Sequence, residues 1–195
     1  LSGGAVNSPH ILQVSGIGPS DHLMNIGINV VHHLPGVGAN LQDHYVARVS
    51  HRVRHAKSIN SLSRGTNLLK EIATWAFSGK GALTFGVTSA MVFSRSREGL
   101  SSPDLQLLFT PASYSERTLG KLEQEDGMTV AVCPVRPASR GTIMAVSSDP
   151  FVRPEIRPNY LSDPDDVRVL LAGINQTREI FSQPALQRYS SKETA

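Results

Sequence analysis

Seven histidines, His10, His22, His32, His33, His44, His51 and His55, all fall in the first 55 of 195 residues, so imidazole chemistry is the first possibility the chain raises. A structural or catalytic metal site needs three or four converging His, Cys or carboxylate ligands at characteristic short spacings. His51 and His55 are four residues apart, yet no carboxylate or third ligand stands beside them, and metal binding is not expected. The single cysteine, Cys133, lies in the apolar run from Met128 to Val135 and has no partner for an internal disulfide; burial as a small hydrophobe is its expected role. Hydrolase chemistry finds no support either, since no Gly-x-Ser-x-Gly turn occurs.

Bulk composition narrows the field further. With 39% hydrophobic and 18% charged residues the chain has the balance of an ordinary globular protein, and its net charge of +3 comes from Lys and Arg scattered along it. Arg48, Arg52 and Arg54, with His51 and His55, come nearest to a basic run. They alternate with apolar residues and lack interleaved aromatics, which reads as a solvated strand face, and no nucleic-acid partner is expected. No apolar stretch approaches the roughly 20 residues of a membrane-crossing helix, and the chain shows no secretory leader, so a cytoplasmic location is the expectation.

The elements that must position any site are legible in outline. Leu1 to Gly4 reads as the end of a buried strand running into a glycine turn. Ser8 is an N-cap candidate with Pro9 at the first helical position, opening a helix of about two turns that Gly16, Gly18 and Pro19 close. A second helix runs from Ser20 to Gly27, and Ile28 to Val31 follows as a short strand. The segment from Asn40 to His44 lies on a loop or just enters a strand, and Asn40 and Asp43 can cap a turn there. Tyr45 to Val53 alternates as a strand does, and Asn67 to Phe77 has helical spacing before Gly79-Lys80-Gly81. The segments 87–94, 104–110, 128–135 and 142–147 read as strands of one antiparallel sheet, with the polar connection Pro111 to Asp126 as a mobile loop over a site. Asp163 then caps a helix burying Val167, Leu170, Leu171, Ile174 and Ile180, which Pro184 ends.

Three strings carry a resemblance. Gly4-Ala5-Val6-Asn7-Ser8-Pro9-His10-Ile11-Leu12-Gln13-Val14-Ser15-Gly16-Ile17-Gly18-Pro19 is similar to the second signature of the glucose-methanol-choline (GMC) oxidoreductases. Leu34-Pro35-Gly36-Val37-Gly38-Ala39-Asn40-Leu41-Gln42-Asp43-His44 resembles a further block of that family. A third set runs through Ser139-Arg140-Gly141-Thr142, Ser148-Asp149-Pro150, Pro154-Glu155-Ile156 and Asn159-Tyr160-Leu161. The resemblance implies an α/β plus α+β fold, in which the end of a Rossmann-type FAD domain, residues 1–44, leads into a substrate domain, 45–195, built on a mainly antiparallel sheet with flanking helices.

Function follows from the resemblance as expectation. The implied activity is FAD-dependent oxidation of the CH–OH group of an alcohol, with hydride passing to the flavin and then to oxygen or a quinone as electron acceptor. The resemblance places Ser2, Gly3 and Gly4 against the adenosine part of FAD through their backbone, and Asn40 and His44 close to the flavin. Ser89 stands where choline-directed members carry a carboxylate for the trimethylammonium group, which argues for a neutral alcohol. Neither the family's GxGxxG turn nor its C-terminal histidine block occurs in the chain. It is therefore expected to be an internal piece without the catalytic base and without turnover of its own, the alternative being a non-catalytic binding or structural module.

Overall fold

In the computed structural model, residues 1–194 are described apart from 116, 117 and 119. Along the chain come α1 (Gly4–Val14), β1 (Ile17–Gly18), α2 (Ser20–Asn25), β2 (His32–His33), β3 (Ala47–Val53), α3 (Ile59–Leu62), α4 (Gly65–Ser78) and a 3₁₀ turn (Ala82–Thr84). They are followed by β4 (Ala90–Ser94), β5 (Leu105–Thr110), β6 (Gly127–Pro134), β7 (Thr142–Met144), β8 (Glu155–Arg157), α5 (Pro164–Ser182), α6 (Pro184–Gln187) and β9 (Ser190–Glu193). Two compact units result, one made of Leu1–Tyr45 with Pro137–Val167 and the other of Val46–Arg136 with Arg168–Ala195. A contiguous division at 44/45 thus differs from the structure in its second half, because residues 137–167 return to the first unit.

The first unit opens differently from its sequence reading. No strand forms at the start: Leu1 is 76% exposed, and α1 begins at Gly4 with Gly3 as its N-cap. Ser8 is not a cap but accepts a hydrogen bond from the Gly3 amide at 3.1 Å, and Pro9 lies inside the helix. Because Pro9 is so near the N-terminus, its missing N–H frees only one carbonyl of the opening turn. Gly16 closes α1 as expected, at φ +83°, where a Cβ would stand 2.5 Å from the Asn29 carbonyl oxygen. Gly16 O accepts from the amides of both Val31 and His32, and this draws the short strand to His32–His33 instead of 28–31, parallel to β1.

The returning segment folds on itself. β7 and β8 pair antiparallel, Thr142 opposite Arg157 and Met144 opposite Glu155, so residues 142–147 do not join the large sheet. Gly141 permits this, since a Cβ there would lie 2.1 Å from the Arg157 carbonyl oxygen.

In the second unit a five-stranded sheet runs in the order β4-β5-β6-β3-β9, antiparallel throughout. Its interior is Val49, Leu105, Leu107, Val130 and Val132, all at most 5% exposed. α5 lies on this side through Leu170, Gly173, Thr177 and Phe181; a Cβ on Gly173 would meet Val132 Cγ1 at 2.5 Å. The expected apolar stripe is therefore misplaced: Leu171 is 55% exposed, whereas the small Gly173 and Thr177 let the helix approach closely. α4 ends at Gly79 in the left-handed conformation, as its sequence requires.

Candidate functional site

The three strings recognised in the sequence meet in the first unit. Leu41 and Gly141 exchange backbone hydrogen bonds at 3.0 and 2.8 Å, Gly38 O accepts from the Ile143 amide at 2.7 Å, and Gln42 Nε2 donates to Pro137 O at 3.0 Å. Tyr160 donates its hydroxyl to Asp43 and packs its ring 5.4 Å from that of Tyr45, and its ionisation is pushed up by the Asp43 carboxylate. Two residues outside the sequence predictions hold this assembly. Gln13, fully buried on α1, donates to Ile143 O at 2.9 Å and accepts from the Ala145 amide at 2.8 Å, so its amide extends the edge of β7. Asp166, 5% exposed, accepts from the Ala138 amide, the Ser139 amide and the Ser139 hydroxyl at 2.7, 2.9 and 2.5 Å. Burial works to raise the Asp166 carboxyl, but these hydrogen bonds outweigh it and hold the group below its ordinary value. Nothing in the local sequence of α1, which also carries Asn7, Ser8 and a buried His10, singles out Gln13.

Beside this junction is a cleft of about 490 Å³, lined by Ala5, Ser8, Pro9 and Leu12 from one face of α1, by residues 36–42 of the facing loop, and by Ile143. Gly38, at φ +85°, has no room for a side chain: a Cβ would lie 2.3 Å from Ile143 O and 2.5 Å from Gln13 Nε2. Asn40, at φ +59°, lines the cleft. Ser2, Gly3 and Gly4 lead directly into the lining residue Ala5, and His44 follows the loop without lining the cleft. Ser8, Asn40 and Gln42 are the polar residues of the lining, the others being small or apolar, and no Lys, Arg or His is among the described lining residues. Such a surface suits a flat, hydrogen-bonding, uncharged group. The sugar, adenine or flavin parts of a dinucleotide fit that description.

Among the described residues no group of three or more His, Cys, Asp or Glu could hold a metal, and no helix is long and apolar enough to cross a membrane. Cys133 is buried, and burial raises its thiol.

Ser89 belongs to the second unit. Its amide donates to Phe109 O at 2.9 Å just before β4, and alternation places it with Met91 and Phe93 on the sheet face away from α5. One end of that face is covered. Thr110, Thr129 and Ser50 are at most 7% exposed beneath residues 112–113, with Thr129 Oγ1 donating to Ala112 O at 2.8 Å. Residues 116, 117 and 119 of the expected mobile loop lie outside the described residues, but its two ends are tied down. Asn60 accepts from the Ser113 amide at 2.9 Å and donates to Glu123 O at 3.0 Å, while Arg52 holds Glu123 with contacts of 2.5 and 3.1 Å. The Arg52 hydrogen bond is the main cause of the lowered Glu123 carboxyl.

Residues 1–46 match the N-terminal domain and residues 137–195 the C-terminal domain of the family described as GMC oxidoreductase. The chain belongs to the GMC oxidoreductases. The two matched stretches contribute the three blocks that meet around the cleft. Among curated relatives, the oxygen-dependent choline dehydrogenase of Stenotrophomonas maltophilia strain K279a is 39% identical over 193 residues, 99% of this chain and 34% of that protein. The alcohol dehydrogenase [acceptor] of Pseudomonas putida is 36% identical over 197 residues, 99% of this chain and 35% of that protein. This GMC chain thus spans about a third of the length of these relatives. A crystal structure of formate oxidase matches 97% of the chain and 38% of that protein with a TM-score of 0.83 at 23% identity, which shows a shared fold mixing helices and a mainly antiparallel sheet.

Proposed function

We propose that the protein containing this chain is an FAD-dependent oxidoreductase acting on the CH–OH group of an alcohol, with oxygen or a quinone as the final acceptor. The observation that carries this reading is that the first two family blocks line one cleft between α1 and residues 36–42, while the third is bonded to the second beside it through Gly141 and Leu41. When bound, FAD supplies a two-electron acceptor for the hydride leaving the carbinol carbon. Ser8, Asn40 and Gln42 offer hydrogen bonds to the cofactor there, Gly3 and Gly4 keep the approach to Ala5 free of side chains, and Gly38 lets the loop close on Ile143. Ser2 and His44 flank these contacts at the two ends of the site. In the second unit, Ser89 is the residue we assign to face the substrate.

Flavin absorbance and fluorescence quenching on titrating the purified protein with FAD test the cofactor, and anaerobic bleaching by added alcohols tests the reaction. Retained flavin that alcohols reduce is the expected result. A protein that retains none, or whose flavin no alcohol reduces, refutes the reading in favour of a non-catalytic module.

A further inference from the structure

The sheet of the second unit has one covered face and one largely open one. Ser94 Oγ donates to Gln176 on α5 at 2.8 Å, and Val132 meets α5 at Gly173, so Ser94, Leu105 and Val132 mark the covered side. On the other side, register aligns Met91, Leu108, Ala131 and Arg48 in a single row across β4, β5, β6 and β3. At the usual strand spacing this row is about 14 Å long. Met91 is 52% exposed, Leu108 and Ala131 are half-buried, and Arg48 is exposed. The neighbouring row begins with Phe93, 53% exposed, and Gln106, whose amide lies 3.2 Å from Met91 Sδ. Residues 112–113 cover the sheet beyond the row at Thr129, so the open area ends at Arg48 and Tyr114.

Among the described residues, charge on this platform has one sign. The Arg48 guanidinium lies 5.4 Å from the Tyr114 ring centre and makes no ion pair among the described residues. No carboxylate stands in either row, and Glu123 and Glu125 are held by Arg52. Among the described residues, a quaternary ammonium laid here meets a cation and no anion. A ligand with an apolar body and a carboxylate meets Met91, Leu108 and Ala131 along its length and Arg48 at its end.

We propose that the Met91–Leu108–Ala131–Arg48 row selects alcohols with an apolar body and a carboxylate at the far end, and excludes cationic ones. The inference rests on the oxidoreductase reading only for the ligand being an alcohol.

Its test needs no flavin. The chain has four methionines, Met24, Met91, Met128 and Met144, so ¹³C-methyl methionine NMR resolves Met91 against the others, with buried Met128 as the fold control. The probes are 4-(hydroxymethyl)benzoate, benzyl alcohol and choline. The benzoate is expected to shift the Met91 methyl with a Kd about three- to fivefold below that of benzyl alcohol, and choline to leave it unmoved over the same range. Arg48→Glu is expected to change the benzoate-to-choline ratio by about tenfold in choline's favour. Should that variant disturb Met128, Arg48→Gln serves instead and is expected to equalise benzoate and benzyl alcohol. A Met91 methyl insensitive to all three probes overturns the proposal. So does choline binding as tightly as the benzoate, or a ranking that survives loss of the Arg48 charge. Failure to retain FAD refutes the oxidoreductase reading separately and leaves this readout intact.

Discussion

Replacing Gln13 by leucine keeps roughly the same volume while removing both amide contacts. Ile143 O then loses its bond from Gln13 at 2.9 Å, and the Ala145 amide loses its acceptor at 2.8 Å, both in a buried setting. Each buried group left unpaired costs about 1–3 kcal/mol, so the pair is expected to cost about 2–6 kcal/mol. For a chain of this size that corresponds to a fall in Tm of about 5–20 °C. Circular dichroism melts give the shift, and hydrogen exchange at residues 143–145 shows whether the loss is local. Gln13→Glu supplies a second, sharper reading. The new carboxylate still accepts from the Ala145 amide, but it turns an oxygen toward Ile143 O, so its folded-state pKa must rise. A raised carboxyl contributes stability when protonated and loses it as pH rises, so this variant is expected to approach the wild type as the solution is acidified toward pH ~5. A leucine variant melting within about 2 °C of wild type, or exchange at Ala145 that does not change, refutes the claim that this amide ties α1 to β7.

Gly173→Ala places a methyl 2.5 Å from Val132 Cγ1 and 2.8 Å from Leu105 Cδ2, both on fully buried side chains, and is expected to cost about 1–3 kcal/mol by urea denaturation. Asp166→Asn is expected to cost about 1–3 kcal/mol near pH 7, because it removes the charge that three donors address. The folded-state carboxyl of Asp166 is depressed, so its contribution is present above the ordinary carboxylate value of about 4 and is lost as pH falls through the lower folded value. Urea midpoints of wild type and variant are therefore expected to converge on acidification below pH ~4, and a gap that stays constant with pH contradicts the assignment.

How far the sequence could be read depended on whether a signal was local. The Asn67–Phe77 spacing and the Gly79 stop are properties of one helix, and α4 appears over Gly65–Ser78 with Gly79 left-handed. Alternation from Tyr45 likewise led to β3, because strand periodicity is written in adjacent residues. Ser8-Pro9 misled for the opposite reason: either a cap or a helix interior accepts the pair, and the Gly3 amide seeking an acceptor decided between them. Thr142–Ser147 carries strand character with no address, and only the backbone of Arg157 against Gly141 assigned it to a separate ribbon. On α5, hydrophobicity pointed to Leu171, but close approach to Val132 and Leu105 selects small residues at the contact, so Gly173 and Thr177 face the sheet.

By itself the sequence determined the family, the mixture of helices with an antiparallel sheet, and the three strings from which the site is made. Tertiary structure decided that those strings lie together, with residues 137–167 returning to the unit of residues 1–45. It also gave Gln13 and Asp166 their roles and put Arg48 in line with Met91. The division has a physical basis. Turn, cap and periodicity preferences act over a few bonds and are encoded where they act. A buried amide finds its partners 130 and 132 residues away, and a cross-strand row exists only once register brings four strands side by side.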